Sequence, residues 1–257
     1  MSDRSESGSE PFRTVGVDLA SQDRQTALAE IVWAGPDIEL VGVRLGVTNH
    51  DIVAAAVDVA LVGIDCPLGW PRPFTDLVIA ARAGQVTPDT AEDAAGKKSL
   101  AYRQTDFEVA RTTGHWPLSV SADRIAYPAM RCAGLLARLA ATGRPVHRSG
   151  LDSLVAEVYP AAALRIWGLP TAGYKTDDHS RANLVDALIS RTGRLAWGDW
   201  PALCARSHDA LDAVVCALVA GAVRLGHSAP PGESERALAD EEGWIHLPDP
   251  DFLSVLE

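Results

Sequence analysis

The sequence predicts an α/β domain organised on a mixed sheet. Three observations carry that prediction. The chain opens with three apolar, β-branched runs separated by short Asp/Gly/Pro breaks, the pattern of an antiparallel meander. A short Ala/Val-rich helix then leads into a fourth apolar run, so the fourth strand is reached by a crossover and the sheet is mixed. Finally, 257 residues that are 47% apolar suffice for one large core, or for one core plus an inserted lobe.

In order, residues 13–20 (RTVGVDLA) read as a buried strand ending in an acid, followed by strands over 25–34 and 38–45. Asn49 opens the short helix, and residues 60–64 form the fourth strand, ending in Asp65-Cys66-Pro67-Leu68-Gly69. Residues 71–150 are expected to be a mostly helical, basic insertion whose clearest helix covers 123–139. LVAEVY at 154–159 is a short strand, and the helix after it stops at Gly168. Residues 176–192 make a helix capped by Thr176 or Asp177. Residues 207–225 form a long helix whose apolar residues nearly encircle it, so it should be buried. Residues 228–242 read as a Pro/Gly/acid-rich loop, with an edge strand over 243–248.

Residues 1–12 are Ser/Glu/Gly-rich without an apolar segment, which predicts a flexible tail and not a signal peptide. No run of eighteen apolar residues predicts a membrane span. Cys66, Cys132, Cys204 and Cys216 are scattered, without zinc spacing, as expected of reduced buried thiols in a cytoplasmic protein. The net charge of −11 argues against a general nucleic-acid coat protein. Yet between Lys97 and Arg148 nine basic residues face three acidic ones; that segment is either a solvated helical face or the side that meets a polyanion.

The chemistry is expected among the acids. Asp18 in VGVDLAS, Asp65 in VGIDCPLG, Glu157 in VAEVYP, and the pair Asp209 and Asp212 in SHDALDAVV each sit at the end of an apolar strand or on a buried helix. A carboxylate there loses hydration unless something offsets the loss, and Mg2+ or Mn2+, which prefer oxygen ligands, would do so. Asp209 and Asp212 are three apart and share one helix face, and the small Ala210, Ala213 and Ala217 would let that helix approach the sheet closely.

The segments VGVDLAS, VGIDCPLGWP, YRQTDFEVAR, AEVYPAAALRIWG, GYKT and SHDALDAVVCALVA occur in that order, and EEGWIHLP follows. Together they resemble the family catalogued as domain of unknown function 429, described as predicted nucleases of the RNase H-like superfamily. The DALDA helix is also similar to the last helix of RuvC-type Holliday-junction resolvases, which carry metal-binding acids there. The resemblance implies an RNase H-like sheet with Asp18 at the centre of its first strand, Asp65 on the fourth, and Asp209 or Asp212 opposite them. It implies two divalent ions, Mg2+ or Mn2+, and cleavage of a phosphodiester in a nucleic-acid or nucleotide substrate; Asp18, Asp65 and Asp212 are the first-choice ligands, with Asp209 and Glu157 next.

Around that centre, Arg103, Asp106 and Arg111 either orient a phosphate or form an internal Arg–Asp pair on a surface helix. Lys175 either neutralises substrate charge or is solvated, and His208 either shuttles a proton or is a helix-capping or solvent-facing residue. Gly96-Lys97-Lys98-Ser99 is no P-loop, because the earlier glycine is Ala91. Asp18-Leu19-Ala20-Ser21 lacks the glycine that lets an actin-like kinase backbone approach a triphosphate, which weakens a phosphotransferase rival. A non-catalytic nucleic-acid- or protein-binding module that uses the acids structurally is the other rival.

Overall fold

The structure, a computed structural model, describes residues 10–87 and 89–257. Most of the expected tail lies outside the described residues; at its far end the expectation is corrected, because Phe12 already pairs with Trp33.

Strands β1 (Phe12–Asp18), β2 (Ala27–Ala34) and β3 (Asp37–Leu45) form the antiparallel meander. Helix α1 (Asn49–Ala55) follows, opened by a capping box in which the Thr48 hydroxyl accepts from the Asp51 N–H. It crosses over to β4 (Leu61–Asp65), which lies parallel to β1. Strand β5 (Val155–Glu157) extends the sheet beyond β4, and the two-residue β6 (Leu195–Ala196) extends it beyond β3. The order is β5-β4-β1-β2-β3-β6, a mixed six-stranded sheet flanked by helices.

Between β4 and β5 run α2 (Arg72–Ala83), α3 (Ala94–Ala101), α4 (Gln104–Thr113) and α5 (Ala126–Ala140). The expected helical insertion is present, but it is not uniform. Helices α2 and α3 bury no residue, whereas α5 packs Ala129, Cys132, Leu135 and Leu139 under Val15, Val17, Val62 and Ile64 on one face of the sheet. The opposite face is covered by α6 (Pro160–Ile166), α7 (Asp178–Arg191) and α9 (His208–Leu225), the last preceded by a short α8 (Pro201–Arg206). Every residue from Ala210 to Ala222 is buried, as an all-round apolar helix requires.

The chain's last part corrects the sequence reading. Within the stretch expected to be loop, Ser228–Ala229 is strand β7 and Arg236–Glu242 is helix α10. The reason is long-range: Glu242 is buried, and its two carboxylate oxygens accept the N–H of Arg72 at 2.6 Å and of Gln104 at 2.9 Å, at the starts of α2 and α4. The expected final strand is split. Ile245 bridges Glu157 in parallel at the sheet edge, and β8 (Leu247–Pro248) pairs with β7 as a separate ribbon.

The feature that fixes the site is the seating of α9. Gly16 and Gly63 lie opposite each other in β1 and β4, each two residues before an acid and so on the same face of the sheet as that acid. A Cβ on Gly16 would sit 2.1 Å from the Ala213 carbonyl oxygen and 2.2 Å from the Ala217 nitrogen, and one on Gly63 would sit 2.6 Å from the Cys216 oxygen. The Thr14 hydroxyl donates to the Ala217 carbonyl at 3.0 Å and accepts from the Trp33 indole at 2.9 Å. Gly16→Ala must therefore push the helix off the sheet, with an expected loss of about 3 kcal/mol in urea unfolding. Gly42→Ala on β3, where a Cβ meets only the Glu30 side chain at 3.9 Å, is the matched control and should change stability far less.

Candidate metal centre

Parallel pairing of β1 and β4 puts Asp18 directly opposite Asp65 at the carboxyl ends of two adjacent central strands. Asp18 is the last residue of β1, not its middle one. A third acid arrives from α9. Ser207 caps that helix by accepting the Ala210 N–H, which sets Asp209 in the first turn and Asp212 one turn on. Ligand atoms of Asp18, His208 and Asp209 lie within 4.8 Å of one another, and among the described residues this is the acid/histidine group able to hold a metal ion. The trio expected from the sequence, Asp18 with Asp65 and Asp212, does not converge to that spacing.

Asp212 is fully buried and already held. The Tyr174 hydroxyl donates to its Oδ1 at 2.9 Å, and the Lys175 ammonium lies 2.8 Å from Oδ2. The ammonium is charge-paired with Oδ2, although its geometry departs from that of an aligned hydrogen bond. His208 shows the same situation: Nδ1 lies 2.9 Å from Asp209 Oδ1, out of line, and is a buried atom without a hydrogen-bond partner. Sequence reasoning weighed His208 as a cap or solvent-facing residue; Ser207 performs the capping. The signal that would have found His208 is its place in the first turn beside Asp209.

Burial, reinforced by Asp212 and Asp65, pushes the Asp18 carboxyl well above the usual carboxylate range, and Lys175 opposes the shift. Burial likewise raises Asp65 to about 7; Lys175 pulls against it while Asp212 and Glu157 add to it. Burial would strip the proton from Lys175, but Asp212, Asp65 and Asp18 outweigh it and raise the ammonium above its ordinary value. Tyr174 is raised by burial and by Asp212, so it stays a donor.

Glu157, Arg103 and Asp106 form a separate cluster. The Arg103 guanidinium donates to Glu157 Oε2 at 2.8 Å and Oε1 at 2.7 Å, to Asp106 Oδ1 at 3.0 Å and Oδ2 at 3.2 Å, and to the Glu242 carbonyl at 3.2 Å. A guanidinium has five N–H groups, and all are used, so Arg103 has none left to orient a phosphate. The backbone N–H of Leu68, just past Asp65, donates to Glu157 at 2.9 Å. The internal Arg–Asp pair is therefore real but buried, and it includes Glu157. Arg111 is exposed and paired with Glu108 one turn back.

Much of the basic segment is likewise committed. Arg131 donates to the Ala20 carbonyl, the Thr26 hydroxyl and Asn49, Arg144 to the Val59 carbonyl, and Arg148 to the Glu241 carbonyl. These arginines tie the insertion to the sheet and to α10 rather than presenting a free cationic face.

A cleft of about 500 Å³ opens over the strand ends. Asp18, Asp65 and Glu157 lie at its floor, Pro117, Leu118, Ile125 and Pro128 of the insertion line one wall, and Gly173 to Thr176 with Tyr159 line another. All four cysteines are buried and free, and among the described residues no helix is long and apolar enough to cross a membrane. No curated protein and no solved structure matches the chain. The family described as "Protein of unknown function (DUF429)" matches residues 16–236, most of the chain, which therefore belongs to that family.

Proposed function

We propose that this chain is a divalent-metal-dependent hydrolase of phosphodiester bonds, built on an RNase H-like sheet and acting on a nucleic acid or nucleotide. The sheet order supports the fold: a three-strand antiparallel meander whose first strand pairs in parallel with a fourth, both ending in acids. The observation that carries the function is the convergence of ligand atoms of Asp18, Asp209 and His208 within 4.8 Å of one another, with His208 Nδ1 buried and without a hydrogen-bond partner. A cation supplies what that arrangement lacks.

Asp18, Asp209 and His208 would hold the ion; two carboxylates and an imidazole suit Mn2+ and admit Mg2+. When bound, a divalent ion polarises a phosphoryl oxygen and activates water. Asp65 contributes a carboxyl of raised proton affinity, the property of a general base or acid working near neutral pH. Lys175 contributes positive charge on the cleft wall, and the cleft has the volume of an ordinary small-ligand site. Asp18→Asn should lower Mn2+-supported cleavage of labelled oligonucleotides or nucleotide diesters by at least about a hundredfold while the protein stays folded. Cleavage undiminished in EDTA, or full activity in Asp18→Asn, would refute the proposal.

A further inference from the structure

The geometry points to a site that takes one divalent ion, not two, because the Lys175 ammonium already stands where a second cation would bind. The inference rests on the metal-dependent reading above and fixes the ion count of that site.

The acids divide into two groups. Asp18 and Asp209 lie with His208 in one cluster of ligand atoms. Asp212 lies with Lys175 Nζ, 2.8 Å from Oδ2, in the other. Oδ1 takes the Tyr174 hydroxyl, and Oδ2, which is buried, is the oxygen that meets the ammonium. A second ion there would have to share that oxygen with a fixed positive charge. An ion ligated by Oδ2 would sit about 2 Å from it, and the ammonium already stands 2.8 Å away, so it occupies the volume as well as the charge.

The ammonium is not a stray surface charge. The Lys175 side chain is 47% exposed, so its stem faces the cleft while its head turns inward. Among the described residues no other lysine or arginine ion-pairs with Asp18, Asp65 or Asp212. The segment that delivers it is anchored from behind. Gly173 adopts φ +75°, its carbonyl accepts the N–H of Thr176 and of Asp177, and the buried Arg181 donates to the Tyr174 carbonyl at 2.8 Å. The charge of Lys175 reaches Asp18 and Asp65 too, opposing in both the upward push of burial. Lys175 therefore supplies counter-charge to Asp212 and Asp65, which lie outside the Asp18–His208–Asp209 cluster.

Mn2+ titration of the full chain, followed by calorimetry and electron paramagnetic resonance, tests this. Wild type should bind one Mn2+ per chain with the spectrum of an isolated ion. Lys175→Met, which keeps the stem and removes the charge, should bind two, and adding Asp212→Asn to it should return the count to one. Two ions in wild type would overturn the inference and leave the metal-dependent reading standing. One ion in both wild type and folded Lys175→Met would also overturn it, leaving Lys175 only a counter-charge for Asp212. No Mn2+ bound by wild type would remove both readings. The wild-type count and spectrum decide against or for a single ion even if the variants do not fold.

Discussion

Arg103→Met is expected to destabilise the protein by about 3–5 kcal/mol at pH 7, the cost of leaving buried carboxylates without their counter-charge. Glu157 and Asp106 would both lose their guanidinium partner, with Glu157 keeping only the Leu68 N–H. Urea unfolding checks the value. The deficit should shrink at acid pH, where the stranded carboxyls can take up protons. Arg111→Gln, on an exposed pair of the same helix, should leave stability nearly unchanged. If Arg103→Met instead kept its stability and lost only substrate affinity, the arginine would be a phosphate ligand after all.

Asp65→Asn should do the opposite and stabilise the metal-free protein, more so as pH rises. A carboxyl raised to about 7 in the folded state binds its proton more tightly there than in the unfolded chain. Its contribution is fully present below the unfolded value near 4 and is lost as pH climbs through about 7. Three units correspond to about 4 kcal/mol, which is the ceiling on what the Asn variant can recover at pH 8 in EDTA. At pH 4 the two proteins should melt together. Asp212→Asn should run the other way and destabilise at neutral pH, because its charge is paired with Lys175. An Asp65→Asn variant less stable than wild type at pH 8 would mean that these acids are structural.

The central sheet was legible because its signals are local. Alternation and short breaks mark β1 to β4, and the structure moves their ends by only one or two residues. The encircling apolar pattern likewise marks α9, and its small residues do meet glycines of the sheet. What was not legible depends on partners far away in sequence. Arg103 could be read either as a phosphate ligand or as half of an internal pair on a surface helix, because its partner Glu157 lies 54 positions on. Helix α10 looked like loop because its buried acid is explained only by the starts of α2 and α4, well over a hundred residues earlier. Spacing on α9 put Asp209 and Asp212 on one face but could not choose between them. In the structure Tyr174 and Lys175, which arrive from a loop, hold Asp212, whereas Asp209 lies with Asp18 and His208.

The close seat of α9 on β1 also sets a timetable. Thr14 meets its carbonyl partner across 203 positions of chain, and the acids of the site straddle the same interval. Closing so long a loop is slow relative to forming local turns. During synthesis at about 5–20 residues per second, the meander must wait at least about ten seconds for the helix that covers its centre. In that interval the β1–β4 face stands bare where Ala213 and Ala217 will later lie. The acids therefore come together only once α9 has been made, and no nascent segment shorter than about residue 212 can display them as a set.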